Sequence, residues 1–355
     1  MCALWAVLLV GCSGCAALPR SRDPGDMELI TVMGVDVTET GHTRLTLLGG
    51  QKSFEGGDEQ PEIITAEADE PAAAAEKALL RSEKLLFPGN AEYILIGRSA
   101  AERGIAPILD YLLRDNDIRP VVRLCLVEGD AEKLITDYDN KAGLADRLAG
   151  LFQIGREQTA LFSFSLAQAA AAWYGGQPLV MPMLRLSDGK ISPAGGAVLT
   201  EGKLLATMDS AQTRGYMLLT GAATGHPLEL SDRVFRVRDA AVKMKPDVRD
   251  GALRGLSLSM EFEMSLTQSN METDFSRSQA EEQACAREED CIRSALMFAQ
   301  EAGQDIFGFG EKLQARRPAL WRQLDGDWPR IWARLPVTLE TKAKFDRTFD
   351  LWEGK

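Results

Sequence analysis

Residues 305–332 read DIFGFGEKLQARRPALWRQLDGDWPRIW. They hold Trp321, Trp328 and Trp332, three of the six tryptophans in the chain. Phe307, Phe309 and Leu313 recur near helical spacing and predict one apolar face. Gly308 and Gly310 each cost a helix interior about 1 kcal/mol relative to alanine. Their presence predicts that something packs against the backbone where a Cβ would clash. Pro318 and Pro329 divide the rest of the stretch into short helical pieces, because each ends or kinks a helix. The plain reading is an aromatic-rich helical cap over a core. It is not a phosphate loop: no strand leads into FGFG, and the third glycine and the Lys-Ser/Thr of known phosphate motifs are missing.

Outward from this stretch the chain alternates in an orderly way. Strands are expected at 28–37, 43–51, 62–67, 93–96, 121–127 and 179–186, with helices between them. Pro71 marks a first helical position. Ser99-x-x-Glu102 has the spacing of a capping box, and Asp130 caps a short helix that runs through Tyr138. Helices at 144–154 and 165–174 flank a Phe-rich loop. Residues 187–193 turn to turn-formers, and the main domain boundary is placed there. A hairpin over 195–207 comes next, with Glu201-Gly202 as a two-residue turn that needs positive φ. Asp209 caps a helix through Leu219, and long alternating strands cover 234–246 and 253–266. The longest helix covers 280–303, and a last strand covers 336–349. This mixture predicts an α+β (mixed α/β) fold with mixed sheets packed by helices in each half. The expected division is a leader at 1–11, a tether at 12–26 and two domains at 27–187 and 193–352.

The first residues suggest an address. An apolar run at 3–10 is too short for a bilayer span, which takes about 20 residues. It leads into Leu9-Val10-Gly11-Cys12, the pattern of a bacterial lipobox, so Cys12 is the candidate lipidation site. Two acyl chains there give stable anchoring, since each buried CH₂ contributes about 0.8 kcal/mol. Cys15 is the poorer candidate, because its −3 position is Cys12. No Lys or Arg precedes the apolar run, which leaves room for a start upstream of Met1.

Composition and chemistry exclude several classes. With 45% hydrophobic and 26% charged residues the chain is ordinary globular protein. Its formal charge of −12 argues against nucleic acid and against electrostatic attachment to an anionic membrane. Only His42 and His226 are present; both fall in expected turns, without the spacing of a zinc site or a nucleophile pair. Glu281-Glu282 and Glu288-Glu289-Asp290 read as a solvated helix face. Arg316-Arg317 reads as helix C-terminal charge offsetting the dipole. Cys125, Cys285 and Cys291 are read as free thiols; the last two lie about 9 Å apart along one helix. No catalytic residue, metal site or cofactor is expected.

Several stretches resemble the Ger(x)C family, the lipoprotein C subunit of bacterial spore nutrient-germinant receptors. The residues that carry the likeness include Asp305-Ile306-Phe307-Gly308-Phe309-Gly310-Glu311, Pro318-x-x-Trp321 and Trp328. Glu28-x-x-x-Val32-x-Gly34-Val35-Asp36 is similar to the family's first strand. Leu109-Asp110-Tyr111-Leu112-Leu113-Arg114-Asp115 with Ile118-Arg119 is similar to its Leu-Asp-Phe element. Gly195-Gly196-Ala197-Val198 and Thr213-Arg214-Gly215 resemble the opening of its second half. Pro88 and Asn90 depart from the usual Phe-Gly-His segment, and Ser13-Gly14 replaces the usual Trp-Asp.

The resemblance implies a non-enzymatic, lipid-anchored receptor subunit on the outer face of the cytoplasmic (in spores, inner) membrane. It also implies a multi-spanning A subunit and a B subunit as partners, and leaves direct small-molecule binding open. Arg114, Asp115 and Arg119 are the candidate partner-binding residues. Arg114 is the sharpest, since a guanidinium grips a carboxylate in a way Lys does not. The alternative class is a lipid-anchored solute-binding protein, which needs two similar α/β lobes.

Overall fold

The computed structural model describes residues 27–50, 61–223, 225–230, 233–268 and 276–346. Cys12, the leader, the tether and the end of the last expected strand lie outside them. The fold is mixed α/β, with two sheets, each packed by helices.

Among the described residues the first sheet has nine strands. Four of them are β1 (Met27–Val37), β2 (Thr43–Gly49), β3 (Ile63–Ala68) and β4 (Leu85–Phe87). The others are β5 (Tyr93–Ile96), β6 (Arg123–Val127), β7 (Leu179–Ser187), β8 (Lys190–Thr200) and β9 (Lys203–Met208). Their order is β3-β2-β1-β5-β6-β7-β8-β9, with β4 lying parallel against the start of β1. The centre, β1-β5-β6-β7, is parallel, and an antiparallel meander closes each side.

Parallel strands need helical crossovers, and these cover both faces. On one face lie α1 (Pro71–Leu79), α2 (Arg98–Arg103), α3 (Ala106–Arg114) and, further along the chain, the helix Leu166–Tyr174. On the other lie α4 (Ala131–Asp137) and α5 (Leu144–Glu157). The helix Leu166–Tyr174 is α6. That double cover explains why all four residues of β5, YILI, are buried rather than alternating.

The expected boundary opens with a tight hairpin turn within this sheet, between β7 and β8. Asp188 (φ 49°) and Gly189 (φ 69°) both have positive φ, as do Glu201 (φ 51°) and Gly202 (φ 78°) in the next turn. Two such residues in succession make the turn whose twist matches flanking antiparallel strands. Strands β8 and β9 therefore extend the first sheet beyond the expected boundary.

Helix α7 (Ser210–Thr220) carries the chain away under a complete capping box, Asp209 with Gln212. The second sheet runs β10 (Gly225–Leu230), β11 (Arg233–Arg249), β12 (Ala252–Gln268) and β13 (Val337–Phe345). Its first three strands are antiparallel, and β13 joins β12 in parallel. On β12, Leu256, Leu258, Met260, Phe262 and Met264 are buried in strict alternation. The long helix α8 (Arg277–Glu301) packs on that face. Behind it come α9 (Phe309–Arg316), α10 (Pro318–Leu324) and α11 (Trp328–Trp332). The same core takes in Phe162, Val180, Val198 and Met208 from the first sheet and its loops, so apolar packing joins the two sheets.

Two expected helix starts are made differently. Helix α2 begins after Gly97, without a side-chain cap; the Ser99 hydroxyl is taken up accepting from the Val37 N–H at 3.1 Å. Helix α4 follows Asp130, but Asp130 does not cap it. Asp36, at the end of β1, does so instead.

Candidate functional site

Three polar arrangements and one surface trough stand out. Asp36 is 3% exposed. Its Oδ1 accepts from the Ala131 N–H at 2.9 Å and its Oδ2 from the Glu132 N–H at 2.8 Å. Two orphan donors of the α4 N-terminus are thus satisfied by a carboxyl on a neighbouring strand. Burial pushes the Asp36 carboxyl above its usual range, and the two backbone hydrogen bonds pull against that shift. A Cβ at Gly97 would stand 1.7 Å from Asp36 Oδ1, which explains the glycine there. Asp36→Ala leaves two buried donors unmet at about 1–3 kcal/mol each. A large drop in the urea midpoint is expected, and an unchanged midpoint would show that the cap is dispensable.

Asp305, the first residue of the DIFGFG stretch, organises the C-terminal cap. Its Oδ1 accepts from the Phe309 N–H at 3.0 Å. Its Oδ2 accepts from the Gly310 N–H at 2.6 Å and from Trp328 Nε1–H at 3.1 Å. The two glycines serve different purposes. At Gly310 a Cβ would come within 2.7 Å of both Trp321 and Trp328, the close packing that the sequence predicts. Gly308 instead sits at φ +66° just before α9, a left-handed conformation that a Cβ strains.

His226 and Glu288 revise the sequence reading. His226 lies in β10 rather than a turn, and Glu288 is not on a solvated face; both are 0% exposed. His226 Nε2 is 2.9 Å from Glu288 Oε1 on α8. Its Nδ1 is 3.3 Å from Thr159 Oγ1, which donates to the Gly225 carbonyl at 3.2 Å. Thr159 follows α5 and has φ 51°, unusual for a β-branched residue. This chain of contacts ties the first sheet's helix layer to the second sheet and its long helix. The residue types are those of a nucleophile relay, but the group is sealed in the interior. His42 stays in its expected turn, with Nδ1 2.6 Å from Asp69 Oδ1 at the surface.

The candidate partner-binding residues lie on and just after α3. Arg114 Nε is 2.8 and 2.9 Å from the two Asp110 oxygens, one turn back on the same exposed helix face. Asp115 accepts from the Asp117 N–H at 2.9 Å and lies beside Tyr111. Burial, with Asp115 beside it, pushes the Tyr111 hydroxyl above the usual phenol range. Arg119 is exposed in the following turn. Arg114 and Asp115 line a surface trough of about 340 Å³ between α1 and α3. Through Ala72, Tyr111 and Asp115 it continues into a second hollow of about 200 Å³ under α1, floored by Ile30, Met33, Leu45 and Leu47. The sequence singles out the α3 element but not α1 opposite it; the small residues on α1, exposed Ala72 and half-buried Ala75, are the signal that points there.

Among the described residues, no group of three His, Cys, Asp or Glu side chains is placed to hold a metal ion. Cys125, Cys285 and Cys291 are free.

The two halves of this two-sheet protein match families of spore germination proteins. Residues 20–186 match the family described as "Spore germination protein N-terminal domain". Residues 194–348 match "Spore germination B3/ GerAC like, C-terminal". The chain belongs to this GerAC family of spore germination proteins. It is 18% identical over 309 residues to the spore germination protein YndF of Bacillus subtilis (strain 168), covering 82% of this chain and 75% of that one. The crystal structure of the GerBC protein superposes with a TM-score of 0.59 at 14% identity, over 88% of this chain and 96% of the other. That likeness concerns the fold.

Proposed function

We propose that the chain is a non-enzymatic, lipid-anchored subunit of a spore nutrient-germinant receptor, needed for receptor assembly or signalling. The observation that carries the reading is the match of both germination-protein families, which together span both sheets. In this reading the chain divides into domains at 27–187 and 193–352, a division the matched ranges support, with the Asp188-Gly189 turn as the point where they join. The partners are the A and B subunits, with the membrane reached through Cys12. A solute-binding protein of two similar lobes is less consistent with a nine-stranded sheet beside a four-stranded one. Deletion of the gene in the spore former is expected to abolish or slow germinant-triggered release of dipicolinate. Release at the parental rate would count against the reading.

Anchoring has its own test. A palmitate analogue is expected to label the parent chain and the Cys15→Ala variant, and to leave Cys12→Ala unlabelled. Label that persists in Cys12→Ala would place the lipid elsewhere.

A further inference from the structure

We infer that the trough between α1 and α3 is the seat of a segment of a partner subunit that presents an aliphatic side chain beside a Lys or Arg. The inference rests on the receptor-subunit reading and names the contact through which it would operate. Three features of the trough select the occupant. Its floor is apolar: Ile30, Met33, Leu45 and Leu47 are each at most 5% exposed, yet their surfaces line the hollow. The small side chains of Ala72 and Ala75 on α1 hold it open. Its rim is acidic, with Glu70, Glu76, Asp110, Asp115 and Asp117 along the two hollows. Arg114 is the cation on that rim, and Asp110 already engages it. At one end the apolar surface spills outward. Leu79, which lines the hollow, is 37% exposed, and the neighbouring Leu80 and Leu85 are 87% and 42% exposed.

A contiguous apolar surface with a charged rim is the usual mark of a recognition site. The sign of the rim decides between occupants. An anionic lipid surface would be repelled by this row of carboxylates, whereas a Lys or Arg beside an aliphatic side chain satisfies both rim and floor. The trough is open along its length between two helices, which suits a chain segment laid along it more than an enclosed small molecule. Asp115, held by the Asp117 N–H, stands where the two hollows meet. It is fixed in place to receive the cation.

The test uses the full chain co-produced with the A and B subunits. A photo-crosslinking residue at Ala75 is expected to capture one of them, through a peptide in which Lys or Arg lies within about one helical turn of Leu, Ile, Val or Met. Asp115→Lys combined with Glu76→Lys is expected to lower co-purification at least about tenfold while the chain keeps its melting transition. Should that pair disturb folding, Ala72→Trp, which fills the trough from an exposed position on α1, is expected to have the same effect. Wild-type co-purification that neither change reduces overturns the inference and leaves the receptor reading standing. Capture of a second copy of the chain, or binding of isoamylamine in the trough with assembly unaffected, also overturns it. A wild-type chain that co-purifies with neither subunit overturns both.

Discussion

Replacing Trp332 with alanine is expected to destabilise the chain by about 3–5 kcal/mol, the range for a buried aromatic cut back to a methyl. The indole is 0% exposed. Phe309, Phe307 and Trp328 surround it with ring centroids at 5.5, 6.1 and 6.4 Å. Its Nε1–H is shared between the carbonyls of Ala299 at 3.2 Å and Gln304 at 2.9 Å, at the end of α8. Truncation removes packing from the second core and the donor that holds the turn after α8. Gln300 Nε2 also donates to the Trp332 and Leu335 carbonyls at 3.1 and 2.8 Å, so the backbone around the tryptophan is fastened to the same helix. Trp321 offers a built-in contrast. It is only partly buried and stacks edge-on against Trp328 at 5.3 Å, so Trp321→Ala is expected to cost clearly less. Urea unfolding of the two variants checks the order. If Trp321→Ala proves the more damaging, the cap is centred elsewhere than on Trp332.

The tryptophans also show what the sequence conveys and what it does not. Helical spacing and the glycine pair disclose an aromatic cap with close packing at Gly310. They do not rank the tryptophans, because burial depends on which side α8 approaches from. Local signals survive well: Pro71 at the start of α1, the Asp209 cap, the Glu201-Gly202 turn and the alternation along β12 all have short-range causes. Asp188-Gly189 carries the same turn chemistry as Glu201-Gly202, but among other turn-formers it reads as a linker. The polar contacts that matter most are long-range. Asp36 caps a helix that begins 95 residues later, and no local window contains both partners. Ser99 has the spacing for a capping box, yet its hydroxyl accepts from Val37 on a neighbouring strand. Glu288 sits in an acidic run on a long helix, and only the arrival of β10 from 62 residues earlier in the chain makes it an interior residue.

That buried pair supports the second large effect. His226→Ala or Glu288→Ala, each alone, is expected to cost about 3–5 kcal/mol, because each leaves its partner buried without its hydrogen bond. Replacing both with apolar side chains of similar volume, His226→Leu with Glu288→Met, is expected to recover most of the loss. The interior then no longer has a polar group to satisfy, and apolar replacement of a buried pair is often neutral. The two single changes should therefore be strongly non-additive. Glu288 Oε2 has no hydrogen-bond partner among the described residues. The pair is better explained as fixing how the parts dock than as a net source of stability. Its geometry favours that account, since β10 and α8 meet at the pair while Thr159 connects it to the end of α5. Thr159 holds a φ of 51° to do so, a strain of about 1–3 kcal/mol that the surrounding packing must offset. The measurement is a double-mutant cycle by urea unfolding at one fixed pH, built from His226→Leu, Glu288→Met and the variant that carries both. Single and double changes that simply add would mean the two side chains are independent. The docking of the sheets would then rest on the shared apolar core, to which Phe162, Val180, Val198 and Met208 contribute.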